Sequence, residues 1–280
     1  MLYLAIDWQA DYITTVDYLN IRLAGFNFRI YFCYHQHEPE ATLMVRKFQL
    51  QITNAYQGFR IEKISKIDQK IEVHFRLPVI YPTTISIKGS SLIFFEEKEN
   101  LIITSAHLSL YQFSFLLLTL LQRLLSNNQG FILHTSASVI NGRVCLFLAP
   151  SGGGKTTVIR LLRRKFTPLA NDSVAVRWEN KKYFIYQTPL LEDFKPKIKN
   201  TVKTYPLGKL FLLEKAQDIK IVPLKKSSGL IKKVFPQIRI TNKINKEQLT
   251  LFLRFMENNN FFRLYFRKKE SELLTFFKSL

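Results

Sequence analysis

Val144-Cys-Leu-Phe-Leu-Ala-Pro-Ser-Gly-Gly-Gly-Lys-Thr-Thr157 is the stretch that decides how this chain is read. A short apolar run, Val144 to Ala149, meets a glycine-rich turn. A helical pattern, Val158 to Arg164, follows at once. The order strand, loop, helix is the context of a phosphate-binding loop. Successive backbone N–H groups in such a loop point inward and cradle phosphate oxygens. Gly152, Gly153 and Gly154 permit close approach and positive φ. Pro150, Ser151, Thr156 and Thr157 complete the expected nucleotide-binding set. Lys155 is placed to reach the β- and γ-phosphates, and the Thr156 hydroxyl to complete the shell of a Mg²⁺ ion. The helix aims its positive end at the same anion. The motif G-x-x-x-x-G-K-[ST] asks for Gly where Ala149 stands. Ala149 precedes Pro150 and is expected to be extended, a conformation that does not need glycine.

Working outward, Phe131-Ile-Leu-His-Thr-Ser-Ala-Ser-Val-Ile140 reads as one strand and Asn141-Gly142 as a hairpin turn into the loop-bearing strand. That reading places His134 on the neighbouring strand. Beyond the loop helix, Thr167 to Trp178 reads as a strand with a polar break at Asn171-Asp172. An acid in that place can hold Mg²⁺ or accept a proton. Tyr183 to Tyr186, Lys209 to Leu213 and Ile219 to Val222 read as strands, and 246–257 and 271–280 as helices.

Before the loop, residues 1 to about 105 read mostly as strands, among them Ile21–Ala24, Phe28–Phe32, Ile71–Phe75 and Leu92–Phe95. Turns are expected at Pro78, Pro82 and Gly89. His35 and His37 have no Cys or acid at ligand spacing, so no metal pair is expected there. Residues 108–125 are the most apolar stretch. Gln112, Gln122 and Arg123 interrupt it, so a buried core helix is expected and not a membrane span. Asp7 and Asp11 break the early apolar residues, and no signal peptide is read there. Cys33 and Cys145 lie far apart, which predicts no disulfide framework and no metal set. A reducing, cytoplasmic setting is expected.

Apolar content of 47% and charged content of 22% are those of a globular chain. The net charge of +20 is uneven. Residues 1–127 carry 12 Lys/Arg against 11 Asp/Glu, and residues 128–280 carry 29 against 10. Two domains are expected: 1–127, β-rich and ending in the apolar helix, and 128–280, carrying the loop. A basic half suits an anionic partner. No aromatic-basic motif accompanies the charge, so nucleic acid is not the expected partner.

Together, Leu133-His134, Asn141-Gly142, Pro150-Ser-Gly-Gly-Gly-Lys-Thr and Leu169-Ala-Asn-Asp172 resemble the catalytic domain of HPr kinase/phosphorylase and its relatives. Gln187-Thr-Pro189 and Pro206-Leu-Gly-Lys-Leu-Phe-Leu-Leu-Glu214 resemble elements of the shorter HPr kinase-like proteins, including those encoded beside peptide-modifying enzymes. The resemblance covers about residues 130–280. It implies an α/β fold with α+β character, a P-loop kinase domain of the HPr kinase/phosphoenolpyruvate carboxykinase type behind a β-rich N-terminal domain. It implies an ATP- and Mg²⁺-dependent transfer of the γ-phosphoryl group to a hydroxyl, expected to be a Ser of a peptide or protein, with an acidic peptide favoured by the charge. Lys155, Asp172 and His134 become the catalytic set: Lys155 on the phosphates, Asp172 orienting or deprotonating the acceptor, and His134 lining the site. Thr156 and Asp172 become the metal ligands. Arg143, Arg160 and Arg163 are candidate phosphate partners. A homo-oligomer is compatible with the resemblance. Three departures stand out: Ala149, Asn171 in place of the first acid of the family's pair, and no Gly-rich second signature. The resemblance therefore carries neither HPr as substrate nor a phosphorylase activity. The competing class is a P-loop ATPase or nucleotide-binding regulatory module. The chain lacks the signature L-S-G-G-Q that a transporter-type ATPase would need after the loop, although Leu210-Phe-Leu-Leu-Glu214 imitates a Walker B strand ending in an acid.

Overall fold

The structure, a computed structural model, describes residues 13–35, 38–75, 83–87, 90–98, 100–127, 130–190, 204–239 and 246–279. The chain is a mixed α/β protein with two sheets, and it divides into two units, Met1–Leu117 and Leu118–Leu280. The division falls inside the apolar helix. Pro78, Pro82, Gly89 and His37 lie outside the described residues.

In the first unit the elements are β1 (Ile13–Leu23), β2 (Phe26–His35), α1 (Pro39–Ala55), β3 (Gln69–His74), β4 (Thr83–Ile87), β5 (Ser90–Lys98) and β6 (Leu101–Ser105). The sheet order is β1-β2-β3-β6-β5-β4, with β2, β3 and β6 mutually parallel at its centre. Alternating Phe28, Ile30 and Phe32, with Ile71 and Val73 beside them, form its buried face. The strand reading of this region omits α1. That helix starts at a proline in its first turn and buries Ala41, Val45, Phe48 and Ile52. Their spacing of four, three and four is one helical stripe. It is diluted by exposed Leu43 and Leu50 on the opposite face, which blurs the period in the sequence. α2 (Leu110–Asn127) follows. Its buried Phe113 meets Phe48 edge-on at 5.6 Å. No helix among the described residues is long and apolar enough to cross a membrane.

The second unit contains β7 (Gly130–His134), β8 (Ser136–Ile140), β9 (Arg143–Leu148), α3 (Lys155–Leu162), β10 (Thr167–Ala170), β11 (Ser173–Glu179), β12 (Lys182–Gln187) and β13 (Tyr205–Lys215). β14 (Lys220–Leu224), α4 (Ser228–Val234), β15 (Ile238–Arg239), α5 (Lys246–Asn258), β16 (Phe261–Phe266) and α6 (Glu270–Lys278) complete it. The sheet order is β10-β8-β9-β13-β12-β11-β7-β15, with β16 also on β13 and β14 on β16. β9, β13 and β16 are parallel neighbours. On one side of this sheet Phe147, Phe211, Phe266 and Phe277 pack with Val158, Ile159 and Leu162 of α3. Phe147 stacks on Phe211 at 5.6 Å, and Phe277 closes edge-on against both.

The single strand expected over Phe131–Ile140 is two strands. Thr135 breaks it: its N–H donates to Asp172 O at 3.0 Å, and its hydroxyl donates to Phe147 O at 2.9 Å. β8 runs through Asn141 (φ 50°) and Gly142 (φ 75°) into β9 as the expected hairpin. β7 instead pairs with β11 and β15. His134 is therefore not on the strand beside the loop-bearing one. It reaches the loop region from the end of β7, because buried Thr135 spends its hydrogen bonds on two other chain segments.

Candidate functional site

The glycine-rich loop lies between the end of β9 and the start of α3, as the hydrophobic pattern dictates. Leu148 and Ala149 are buried, and the chain becomes exposed at Pro150 to Gly152. Gly152 (φ 74°) and Gly154 (φ 98°) take the left-handed backbone that makes a nest of N–H groups. Ala149 is not among the positive-φ residues, so the missing first glycine costs no backbone strain. Its methyl fills the loop from below: a Cβ on Gly153 would stand 2.5 Å from Ala149 Cβ. A Cβ on Gly154 would stand 2.6 Å from the Phe266 ring. The first N–H groups of α3 have no acceptor within the helix and open toward the loop. This is an anion-binding arrangement by dipole and by donors.

Lys155 is only 9% exposed. Its Nζ donates to Ala149 O at 2.6 Å and Pro150 O at 3.4 Å, folding the ammonium back over the loop. Burial lowers its pKa, and the Asp172 carboxylate partly offsets that. Asp172 sits in the turn between β10 and β11, where the sequence puts its polar break. One of its oxygens is 3.3 Å from His134 Nδ1, and the other accepts from Arg239 Nη2. His134 and Asp172 keep about a third of their side-chain surface in solvent, at 34% and 37%, so both remain reachable by a ligand.

Arg239 and Gln237 are the residues that sequence reasoning misses. β15 pairs Ile238 with Leu133 and Arg239 with Ile132. That pairing carries the guanidinium to Asp172 across 67 positions of sequence. Gln237, with its amide nitrogen toward the loop, donates to Ala149 O at 3.3 Å and His134 O at 3.2 Å. It ties the loop to the end of β7. No motif spacing announces either residue; the only signal is a short β-like run after a basic helix.

The arginines named from sequence lie elsewhere. Arg143 opens β9, whose other end carries the loop, on the order of 15–20 Å along the strand. Arg160 is exposed on α3, and Arg163 is that helix's C-cap. Thr156 is exposed in the first turn of α3 and Thr157 is half-buried. Glu214, the Walker B look-alike, is half-exposed near the end of β13 and paired with Arg263 at 3.3 Å. Leu210 and Phe211 of that strand are fully buried, as a core strand requires.

Among known proteins, no curated protein matches the chain. A solved structure, the Hpr(Ser) kinase/phosphatase from Coxiella burnetii, is similar over 52% of this chain and 91% of its own, at 12% identity and a TM-score of 0.31. The family described as SynChlorMet cassette protein ScmC matches residues 103–251. That span is more than half of the 280 residues, and the chain belongs to the ScmC family.

Proposed function

We propose that the second unit binds ATP with Mg²⁺ at residues 150–157 and transfers the γ-phosphoryl group to a hydroxyl of a peptide or protein, in a P-loop kinase domain of the HPr kinase type. The observation that carries this reading is convergence. A glycine nest, the Lys155 ammonium and an Asp172–His134–Arg239 cluster come together from β9/α3, the β10–β11 turn, β7 and β15. The residues fit the ligands. Two left-handed glycines and a helix start suit phosphate, and one hydroxyl with one carboxylate suits Mg²⁺, which keeps most of its waters and phosphate oxygens.

Thr156 and Asp172 would hold the ion, which when bound neutralises charge between the β- and γ-phosphates. Lys155, released from Ala149 O, would exchange a carbonyl for phosphate oxygens. Asp172 would orient the acceptor hydroxyl and take its proton. Arg239 holds the Asp172 carboxylate in place, and His134 fixes its other oxygen. The resemblance in sequence to HPr kinase-like proteins encoded beside peptide-modifying enzymes supports a peptide acceptor, and the basic charge of residues 128–280 supports an acidic one.

Two variants test the reading. Lys155→Ala should lose ATP·Mg²⁺ binding by about 2–3 kcal/mol, the worth of a charge-assisted contact, measured by isothermal titration. Asp172→Asn should retain most of that affinity while phosphorylation of an acceptor peptide, read by mass spectrometry, stops. Phosphoryl transfer at the wild-type rate in Asp172→Asn would exclude it as the base. ATP turnover with no peptide phosphorylated in the wild type would favour the ATPase class.

A further inference from the structure

The first unit holds a side-chain cluster that the proposed kinase chemistry does not use. β2 and β3 run in parallel register, with Tyr31 level with Glu72 and Phe32 level with Val73. The next rung sets Cys33 level with His74. Alternation then puts Cys33, Glu72 and His74 on one face of the sheet, opposite the face formed by Phe32 and Val73. Cys33 Sγ, a Glu72 carboxylate oxygen and a His74 ring nitrogen all lie within 4.8 Å of one another. His74 Nε2 is 3.2 Å from Glu72 Oε2.

Cys33 is 3% exposed and His74 9%, whereas the Glu72 side chain keeps 31%. The donors are thus held by a rigid, desolvated sheet with an approach from the Glu72 side. Buried polar groups at the centre of a sheet cost stability unless they are paired. A divalent cation would reverse that penalty, because thiolate and carboxylate would both become its ligands.

We propose that Cys33, Glu72 and His74 bind a zinc-class divalent cation through thiolate, carboxylate and imidazole, with a fourth position left to water. Tetrahedral bonds of about 2.0–2.3 Å set donor atoms roughly 3.3–3.8 Å apart. The side chains therefore close by about 1 Å while the strands stay in place. The ion takes the position between Glu72 and His74, and the thiol proton leaves to solvent; no electrons change hands. A thiolate with an imidazole selects against Mg²⁺ and Ca²⁺, which take oxygen ligands. The site is therefore chemically separate from the Mg²⁺ invoked with ATP. Sequence spacing conceals it, since Cys33 stands 39 positions before the nearer of its two partners and only strand register unites them.

The test uses the full chain, stripped with a chelator and titrated with Co²⁺. One equivalent should produce a thiolate-to-cobalt charge-transfer band in the near ultraviolet. Stoichiometric Zn²⁺ should displace it and millimolar Mg²⁺ should not. Cys33→Ser should abolish the band, Cys145→Ser should keep it, and His74→Gln should weaken Co²⁺ binding at least about tenfold. A wild-type chain with no such band, or a band undiminished in Cys33→Ser, overturns the site. If Cys33→Ser fails to fold, His74→Gln and Glu72→Gln decide it: unchanged Co²⁺ affinity in both overturns it, and weakened affinity in both upholds it.

Discussion

Ala149 and Gly153 act as a pair. Ala149 places a methyl where a Gly153 Cβ would arrive at 2.5 Å, with Pro150 O at 3.0 Å beyond it. Having lost the first glycine of the motif, the loop is committed to glycine at 153. Gly153→Ala should therefore distort the nest and weaken ATP·Mg²⁺ binding. Adding Ala149→Gly should restore part of the loss, because the worse clash is removed and the Pro150 contact remains. A double-mutant cycle in titration calorimetry should give a coupling of about 1 kcal/mol or more, as residues in contact do. Additive losses would mean that the two side chains do not meet. Lys155 adds a pH signature. Its lowered pKa means that the charged ammonium is lost at a lower pH than for an ordinary lysine. ATP affinity is accordingly full on the acid side of that pKa and falls as pH rises through it.

At the scale of elements, α6 is the support beneath the loop-bearing strand. Phe277 is fully buried and touches Phe147 of β9, Phe211 of β13 and Phe166 beyond α3. Phe277→Ala should cost about 3–5 kcal/mol, the usual loss for a buried phenylalanine whose surroundings cannot collapse. Equilibrium urea unfolding should show the transition of the second unit moving to lower urea with its slope unchanged. A shift below about 1 kcal/mol would show that α6 is dispensable for the core. The break at Thr135 belongs to the same scale. A ten-residue β-run becomes β7 and β8, and only the break lets one segment serve two separate positions of the sheet.

Across the whole molecule, charge is the feature that the fold leaves unabsorbed. Residues 128–280 carry 29 Lys/Arg against 10 Asp/Glu, whereas residues 1–127 are nearly balanced. A nucleotide with one Mg²⁺ needs few of these cations. If the rest steer an acidic peptide, its KM should rise between low and physiological salt while kcat stays nearly constant, because screening weakens encounter and not chemistry. Initial-rate kinetics at several ionic strengths would measure this. A flat KM would make the basic surface an ordinary solvated face.

The sequence determined what is local. The order of apolar run, glycines and helical pattern located the loop, since strand and helix periodicity and the φ demands of glycine act within a few residues. Asn141-Gly142 gave the hairpin, and the polar Asn171-Asp172 break gave the turn that presents Asp172. Helix α1 was less legible, because exposed leucines on its far face hide the stripe. Tertiary structure alone decided which strand carries His134, because that depends on where Thr135 finds its hydrogen-bond partners. It also brought Arg239 to Asp172, Gln237 to the loop, and Cys33 to Glu72 and His74. Those meetings are set by strand register between residues 39 to 103 positions apart. Register follows from burying whole sheet faces at once, and no spacing within the chain encodes it.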